Sequence, residues 1–265
     1  MSVNKVLGVG CSDIERLYPK FAVTSEVDVA VNTPITPQLV YAVLTNPLTW
    51  LPALAYLTTF GFELAIDSNL ANILFAIYKS KHFGQTKAGY ITSTFGLLNF
   101  FTRPAGGFFG DLVYRRWGVP GKKYLMLACG AMQGILCIGL GFYIDSEKRP
   151  DLAKLIAFIC LVALFNEMGN GANFSLVPHT NACQYLRILL KSRLKLNPYW
   201  YCIFSHIDAN GFMSGIVGAS GNLGGIFFAL VYRFQPHPFG KATWICGIVA
   251  LVVNVCLVGI RVPKH

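Results

Sequence analysis

Charged residues are scarce in this sequence of 265 residues. Only 13% are Asp, Glu, Lys or Arg, whereas a soluble domain carries about 25%. This shortage, with 54% apolar residues and a mean hydropathy of +0.51, excludes an ordinary soluble protein and predicts an integral membrane protein. The formal net charge of +10 could indicate nucleic-acid binding. However, the cations form short blocks between apolar runs, as in the inner loops of membrane proteins, so no nucleic-acid partner is expected.

The sequence also lacks the motifs of enzymes and of metal or cofactor sites. Its eight cysteines contain no CxxC pair, and its five histidines are scattered. No nucleophile elbow is present. The glycine-rich segment GASGNLGG (218–225) has no preceding strand and no P-loop lysine, which excludes a nucleotide loop. We therefore expect no disulfide, metal, cofactor or enzymatic activity.

Long apolar runs are what the sequence has instead. A membrane-spanning helix needs about 20 apolar residues, and six runs meet this length: 50–78, 87–113, 123–144, 152–177, 211–232 and 242–260. They predict an all-α polytopic membrane protein with six transmembrane helices. The organisation we expect is a cytoplasmic loop or tail (1–45), four helices (46–177), an atypical cytoplasmic loop (178–210), two helices (211–260) and a cytoplasmic tail (261–265). No cleavable signal peptide is visible in the polar N-terminal segment.

One arginine, Arg103, lies inside an apolar run. A charge in hydrocarbon costs roughly 2.5 kcal/mol or more, so such residues normally face a cavity or a partner. The planar guanidinium suits a trigonal or carboxylate-like anion. The alternative is a structural salt bridge to Glu63, Asp67 or Glu167. We favour the anion, and both interpretations remain open.

Three acidic residues also lie well inside the apolar runs, away from their ends: Glu63, Asp67 and Glu167. Glu63 and Asp67 are four residues apart, which places them on one face of a helix. Acids in a span line an aqueous cavity, pair with cations or carry a proton. They are therefore candidates for proton coupling or ion pairing. The alternative is that Glu63 and Asp67 are solvated at the outer end of their helix.

The fifth apolar run is rich in glycine. Gly211 with Gly215, and Gly221 with Gly225, form small-xxx-small pairs that draw helices together. Close packing is the ordinary explanation for such a run. The face formed by glycines 215, 218 and 221, with Asn222 beside it, also suits a site for a small ion or a helix that slides past its neighbour.

Several segments together resemble a known family. GGFFGDLVYRRWGVPGKK (106–123) resembles the loop motif of the major facilitator superfamily. AYLTTFGFELAIDSNLANILF (55–75), FGQTKAGYITSTFGLLNFFTRPAGGFFGDL (83–112) and NGFMSGIVGASGNLGGIFF (210–228) resemble the nitrate/nitrite porter family, and within it the fungal high-affinity nitrate transporters. GASGNLGG resembles the second glycine-rich nitrate signature of that family. The resemblance covers roughly residues 40–260.

The resemblance implies a transporter of which this chain is one half. Family members have twelve helices in two halves, with nitrate held between the halves by one arginine from each. This chain resembles helices seven to twelve. Proton-coupled transport of nitrate, and of nitrite, in the plasma membrane is therefore expected, with a missing N-terminal half or a second copy as partner. The alternative is a non-transporting remnant of a half-transporter or an anion-sensing membrane subunit.

The resemblance also implies roles for individual residues. Arg103 matches the second nitrate arginine, and Tyr56 and Phe60 match aromatic positions that line the site. The residues implied for the transport signature are Gly218, Gly221, Gly224 and Gly225, together with the substrate-binding Asn222. The residues implied for a gating loop at the inner face are Asp111, Arg115 and Arg116.

The loop at 178–210 departs from the family pattern. Fungal members pass almost directly from a Val-Pro-His segment to Asn-Gly-Phe-Met-Ser-Gly, and deletion of Gln184–Ala209, 26 residues, would restore that connection. Our hypothesis is a retained intron or a gene-model error. The remaining interpretations are an insertion without a role and a basic helix at the membrane interface.

Overall fold

The computed structural model describes residues 37–146, 149–180, 210–235 and 239–262. Five of the helices in these ranges are long and apolar enough to cross a membrane. This confirms the all-α polytopic fold predicted from the apolar runs. The predictions for the first 36 residues, for 181–209 and for the last three residues lie outside the described part of the chain.

The helices follow the predicted apolar runs closely. They are α1 (Pro37–Thr45), α2 (Pro47–Tyr78), α3 (Gln85–Ser146), α4 (Leu152–Leu176), α5 (Asn210–Phe234) and α6 (Phe239–Leu257), and a short 3₁₀ turn, Val177–Thr180, follows α4. The segment expected to be a loop or tail is thus helical in its last nine residues. Asn46 separates α1 from α2 and caps α2, since its side chain accepts a hydrogen bond from the main-chain N–H of Leu48.

α3 contains two spans joined by a sharp bend. Its 62 residues would extend about 93 Å if straight, against a hydrocarbon thickness of about 30 Å. Gly118 interrupts the helix with φ 64°, a left-handed conformation that glycine adopts without steric cost.

An ion pair across Gly118 shows that the chain turns back there. Lys122 Nζ lies 2.8 Å from Asp111 Oδ1. A straight helix would place these residues about 16 Å apart along its axis, farther than the two side chains together reach. The first arm of α3 (85–117) and its second arm (119–146) therefore correspond to the second and third predicted spans.

Glycines bring the helices together at three places. Gly106 on the first arm of α3 lies against the Met168 carbonyl of α4. Gly61 on α2 contacts the main chain of Gly224 on α5, and Gly134 on the second arm of α3 contacts Gly247 on α6. Because a Cβ at these positions would meet main-chain atoms, each glycine is required for the observed approach of two helices.

Only one of the two small-xxx-small pairs on α5 mediates packing between the described helices. Gly225 lies against the Leu64 side chain of α2, and Gly221 lies against α2 aromatic rings. A Cβ at Gly211, Gly215 or Gly218 would meet no described heavy atom within 4 Å. The expectation that Gly211 and Gly215 draw a neighbour close is thus not met by the helices that the structure describes.

Candidate functional site

A cluster of three charged residues lies between α2, the first arm of α3 and α4. Arg103 Nη2 is 2.8 Å from Glu63 Oε2 and 3.2 Å from Glu167 Oε2. The Oε2 atoms of Glu63 and Glu167 are therefore no farther apart than the sum of these two distances. The Glu63 side chain is 7% exposed and that of Glu167 is 0% exposed, whereas the Arg103 side chain keeps 33% of its surface accessible. We call Glu63, Arg103 and Glu167 the charge cluster.

The approach of α3 to α4 creates this cluster. Gly171 lies directly against the main-chain carbonyl of Arg103, and Gly106 lies against α4 in the same way. A side chain at either glycine would separate the helices. The glycine-rich segment of α4 therefore serves to bring the Arg103 guanidinium within reach of Glu167, one turn before Gly171.

Glu63 receives hydrogen bonds on both carboxylate oxygens. Asn99 Nδ2 donates to Oε1 at 2.9 Å, and Asn170 Nδ2 donates to Oε2 at 2.7 Å. Arg103 Nη2 contacts the same two oxygens at 3.2 and 2.8 Å. Donors of this kind stabilise the ionised form of a carboxylate. Asn99 and Asn170 were not predicted as site residues, although a polar side chain within a span is a signal that the sequence contains.

Glu167 has a different environment. Its Oε2 accepts a hydrogen bond from Arg103 at 3.2 Å, and Asn170 and Glu63 also interact with its carboxyl group. Its Oε1 is buried and has no hydrogen-bond partner among the described residues, and the same is true of both side-chain polar atoms of the neighbouring Asn166. The two glutamates therefore differ in the number of groups that stabilise a negative charge.

Aromatic rings cover one side of the arginine. Arg103 Cζ lies 5.6 Å from the centroid of the Phe60 ring. Phe60 is stacked on Tyr56, with ring centroids 4.8 Å apart and an interplanar angle of 5°. Phe174 meets Tyr56 edge-on at 5.0 Å. The sequence predicted Tyr56, Phe60 and Arg103 as site residues, and the structure brings the three together.

The predicted signature glycines have two different environments. A Cβ on Gly221 would lie 2.6 Å from Tyr56 Cδ1 and 2.7 Å from Phe60 Cδ1, and Gly224 lies against the Leu57 carbonyl. Gly221, Gly224 and Gly225 therefore hold α5 against the aromatic side of α2. Gly218, the fourth glycine of the signature, has open space in the direction of its missing Cβ.

Two predicted residues lie apart from the charge cluster. Asn222 is exposed, and its side-chain amide donates to the Gly218 carbonyl of its own helix at 3.2 Å. Asp67 is exposed one turn beyond Glu63 and forms no ion pair within the described part of the chain. The helical spacing of Glu63 and Asp67 predicted a shared face, and only Glu63 reaches the arginine.

The predicted gating loop contains a buried lysine. Lys122 Nζ contacts Asp111 and donates to the main-chain carbonyl of Ser175, near the C-terminus of α4, at 3.0 Å. Arg115 and Arg116 are exposed. A cation close to the last carbonyls of a helix interacts favourably with the helix dipole. Lys122 thus links the bend of α3 to the end of α4.

The adjacent Lys123 binds the end of a different helix. Its Nζ donates to the carbonyls of Val258 and Ile260, just beyond α6, at 2.6 and 2.7 Å. The apolar run had predicted that this helix continues to residue 260, but it ends at Leu257. Neither Lys122 nor Lys123 was among the predicted site residues. Hydropathy cannot reveal the inward orientation that the bend at Gly118 imposes.

A second polar contact that was not predicted lies in the interior of the helix bundle. Gln133 donates to the Thr58 carbonyl at 3.3 Å, and Asn254 donates to Thr58 Oγ1 at 3.2 Å. Both amide side chains are almost fully buried. They link α2 to the second arm of α3 and to α6. Each is the one amide side chain in its apolar run, which could have identified it.

The cluster has the chemistry of ion binding. A guanidinium can exchange a carboxylate for another anion, and a carboxylate can take up a proton. Within the described ranges, no group of three or more His, Cys, Asp or Glu residues is arranged to hold a metal ion.

Comparisons with known proteins found relatives that are transporters, and no family model matches the chain. The chain is 33% identical over 257 residues to Elsinochrome transporter 1 of Elsinoe fawcettii, which covers 96% of this chain and 43% of that protein. It is 30% identical over 213 residues to High affinity nitrate transporter 2.5 of Arabidopsis thaliana (79% and 36%). It is 28% identical over 210 residues to the Nitrate/nitrite transporter NrtP of Nostoc punctiforme (79% and 34%).

Two conclusions follow from these relatives. The chain spans less than half the length of each of the three. Their names are those of transporters and not of enzymes, which confirms the expectation that this chain is not an enzyme.

Proposed function

This chain is a homologue of the nitrate/nitrite porters of the major facilitator superfamily, and from that relationship we propose that it is the C-terminal half of a nitrate transporter. The expected cargo is nitrate, with nitrite as a second substrate. The expected location is the plasma membrane, and the expected process is nitrate assimilation. Five apolar helices of spanning length support a multi-pass membrane protein.

The observation that carries the proposal is the position of Arg103. Its guanidinium lies in an apolar span, over the Phe60 ring, and one third of the side chain remains accessible. A planar fork of donors can bind two oxygens of a trigonal anion at once. Phe60 and Tyr56 supply flat surfaces beside it. This arrangement supports a small planar oxyanion as the ligand.

The sequence left two interpretations of Arg103 open, anion binding and a structural salt bridge. Both apply in the proposed transport mechanism. Without an anion, the guanidinium is held by Glu63 and Glu167, as the salt-bridge alternative expects. An arriving anion would replace one carboxylate on the guanidinium. Since the anion adds a negative charge to a buried site that already contains two acids, proton uptake would keep the charge of the site constant. Proton-coupled transport is therefore part of the proposal.

Transport would require a second half. In the family, the site lies between two six-helix halves that rock against each other. This chain would supply Arg103 from one side, and the missing N-terminal half or a second copy of the chain would supply the opposing arginine. Gly221, Gly224 and Gly225 would keep α5 and α2 together as one rigid body during this motion. Asn222, exposed on α5, is available to a ligand or to the opposing half.

A second candidate function is anion sensing without transport. The chain spans 43% or less of the three relatives, and a half could bind an anion without moving it across the membrane. The name of the relative from Elsinoe fawcettii also specifies a cargo other than nitrate. A nitrate transporter therefore has to be distinguished both from a sensor and from a carrier of another molecule.

Uptake of labelled nitrate tests the proposal. The chain would be expressed in a host that lacks nitrate transport, alone and together with the N-terminal half of a related nitrate transporter. We expect uptake when both halves are present. Nitrate binding by the purified chain without uptake in either case would favour the sensor. If the chain binds no nitrate in any combination, the proposal is wrong.

A further inference from the structure

We propose that Glu167 binds the proton that accompanies the anion, and that its protonation is required before an anion can bind at Arg103. This inference rests on the proposed function, in which an anion contacts Arg103. It assigns different tasks to two glutamates that touch the same guanidinium nitrogen. Glu63 acts as a permanent counter-ion, and Glu167 acts as the group that gains and loses a proton.

The charge balance of the cluster is the first argument. Arg103 carries one permanent positive charge, and Glu63 and Glu167 carry two negative charges when both are ionised. The cluster then has a net charge of −1 in an apolar environment and repels an anion. One bound proton makes the cluster neutral. An anion can then approach the guanidinium without repulsion from a net negative charge.

The hydrogen bonds indicate which glutamate takes the proton. Glu63 is held on both oxygens by Asn99, Asn170 and Arg103. The two amide donors would lose their acceptor if Glu63 moved away or donated a proton in their direction. Glu63 therefore keeps its negative charge and its contact with Arg103.

Glu167 has less support. Its side chain is 0% exposed, Arg103 donates to its Oε2, and Asn170 and Glu63 also interact with its carboxyl group, but its Oε1 has no hydrogen-bond partner among the described residues. An ionised oxygen in that buried position lacks a donor among the described residues, whereas a protonated carboxyl removes the buried charge. Glu167 is thus the group in the cluster whose charge is easiest to remove.

Among the described residues, few other titratable groups interact with Glu63 and Glu167. Glu63 and Arg103 face Glu167 directly, from α2 and from the first arm of α3. Tyr56, two turns before Glu63 on α2, and Asp67, one turn after it, interact electrostatically with the cluster. Towards α6 and the second arm of α3, the polar side chains are the neutral Asn254 and Gln133. Proton uptake by the cluster is therefore confined to the two glutamates.

These facts give an order of events. While Glu167 is ionised, Arg103 is bound by two carboxylates and the site is closed to anions. A proton from solvent binds the Glu167 carboxylate and converts it to the neutral acid. Arg103 then remains paired with Glu63 alone, and the anion takes the place of Glu167 on the guanidinium. Release of the proton restores the contact between Glu167 and Arg103 and displaces the anion.

Calorimetry on the purified 265-residue chain tests the inference. Nitrate would be titrated into the chain at one pH in two buffers with different ionisation enthalpies, because the difference between the two heats gives the number of protons taken up. We expect about one proton per nitrate. Nitrate affinity should fall about tenfold per pH unit at pH values where Glu167 is ionised in the free chain. If nitrate affinity is independent of pH and the unaltered chain takes up no proton on binding at any pH, the inference is wrong.

Two variants assign the proton to a residue. Glu167→Gln keeps the shape of the neutral acid, and we expect nitrate binding without proton uptake and without pH dependence. Asp67→Asn removes an exposed acid one turn beyond Glu63 and serves as the matched control, in which one proton per nitrate should still be taken up. Unchanged proton uptake in Glu167→Gln, or its loss in Asp67→Asn, would overturn the assignment.

Different experimental results would contradict this inference and the proposed function. Nitrate binding that depends on Arg103 but involves no proton contradicts the role of Glu167 and leaves the anion site intact. The absence of nitrate binding at every pH contradicts the anion site itself, and the inference with it.

Discussion

Gly171 lies against the main-chain carbonyl of Arg103, so that a side chain could not occupy the space between α4 and the first arm of α3. This contact sets the separation of the two helices at the level of the charge cluster. It also explains why a glycine stands four residues after Glu167, whose carboxylate lies 3.2 Å from the guanidinium.

Gly171→Ala should therefore separate Arg103 from Glu167. The added Cβ meets main-chain atoms that cannot rotate away, and overpacking of this kind costs about 1 to 3 kcal/mol. We expect a lower temperature of unfolding in detergent, measured by tryptophan fluorescence. The matched control is Gly107→Ala, because a Cβ there would have open space. Equal unfolding temperatures for the two variants would contradict the packing argument.

Arg103→Lys should weaken nitrate binding more than tenfold. Lysine keeps the positive charge but loses the planar fork that can contact two oxygens at once. Nitrate affinity of the purified chain, measured by calorimetry, is the readout. Arg233→Lys, at an exposed arginine near the end of α5, is the control and should bind as the unaltered chain does. Unchanged affinity in Arg103→Lys would favour a purely structural salt bridge.

Gly221→Ala and Gly218→Ala should have opposite outcomes although both change the same glycine-rich signature. A Cβ on Gly221 would collide with the stacked rings of Tyr56 and Phe60, whereas a Cβ on Gly218 would have open space. We expect Gly221→Ala to lower the unfolding temperature and to displace Phe60 from Arg103. Gly218→Ala should fold normally. If the Gly218 variant is the less stable of the two, the described packing of α5 on α2 is incorrect.

Lys123→Met should loosen the end of α6. The lysine ammonium binds two main-chain carbonyls, of Val258 and Ile260, and removal of a buried donor leaves its acceptors unpaired at a cost of about 1 to 3 kcal/mol. Hydrogen exchange should become faster at residues 255–260. Lys154→Met, at an exposed lysine of α4, is the comparison variant and should leave exchange unchanged in that segment. Equal exchange in both variants would mean that Lys123 does not hold α6.

Sequencing of the mature transcript tests the interpretation of the atypical loop. We expect a message in which the codons for Gln184–Ala209 are absent, since their in-frame removal joins the Val-Pro-His segment directly to α5. Reverse transcription followed by amplification across this junction shows whether the mature message contains these codons. A mature message that encodes the 26 residues would refute the hypothesis of a retained intron.

Local signals in the sequence determined the helical architecture and the members of the charge cluster. The apolar runs located the spans within a few residues, because hydrocarbon requires a continuous apolar surface of fixed length. Arg103, Glu63 and Glu167 were identified for the same reason, since a charge inside a span is costly and therefore conspicuous.

Only the tertiary structure decided which charges pair and which glycines pack. Helical spacing placed Glu63 and Asp67 on one face, but the rotation of α2 relative to α3 and α4 brings Glu63 alone to Arg103. The bend at Gly118 turned Lys122 and Lys123 inward to the ends of two helices. Composition records which residues are present, whereas helix rotation and separation depend on many contacts between distant parts of the chain. For that reason the difference between the two glutamates became visible only in the folded protein.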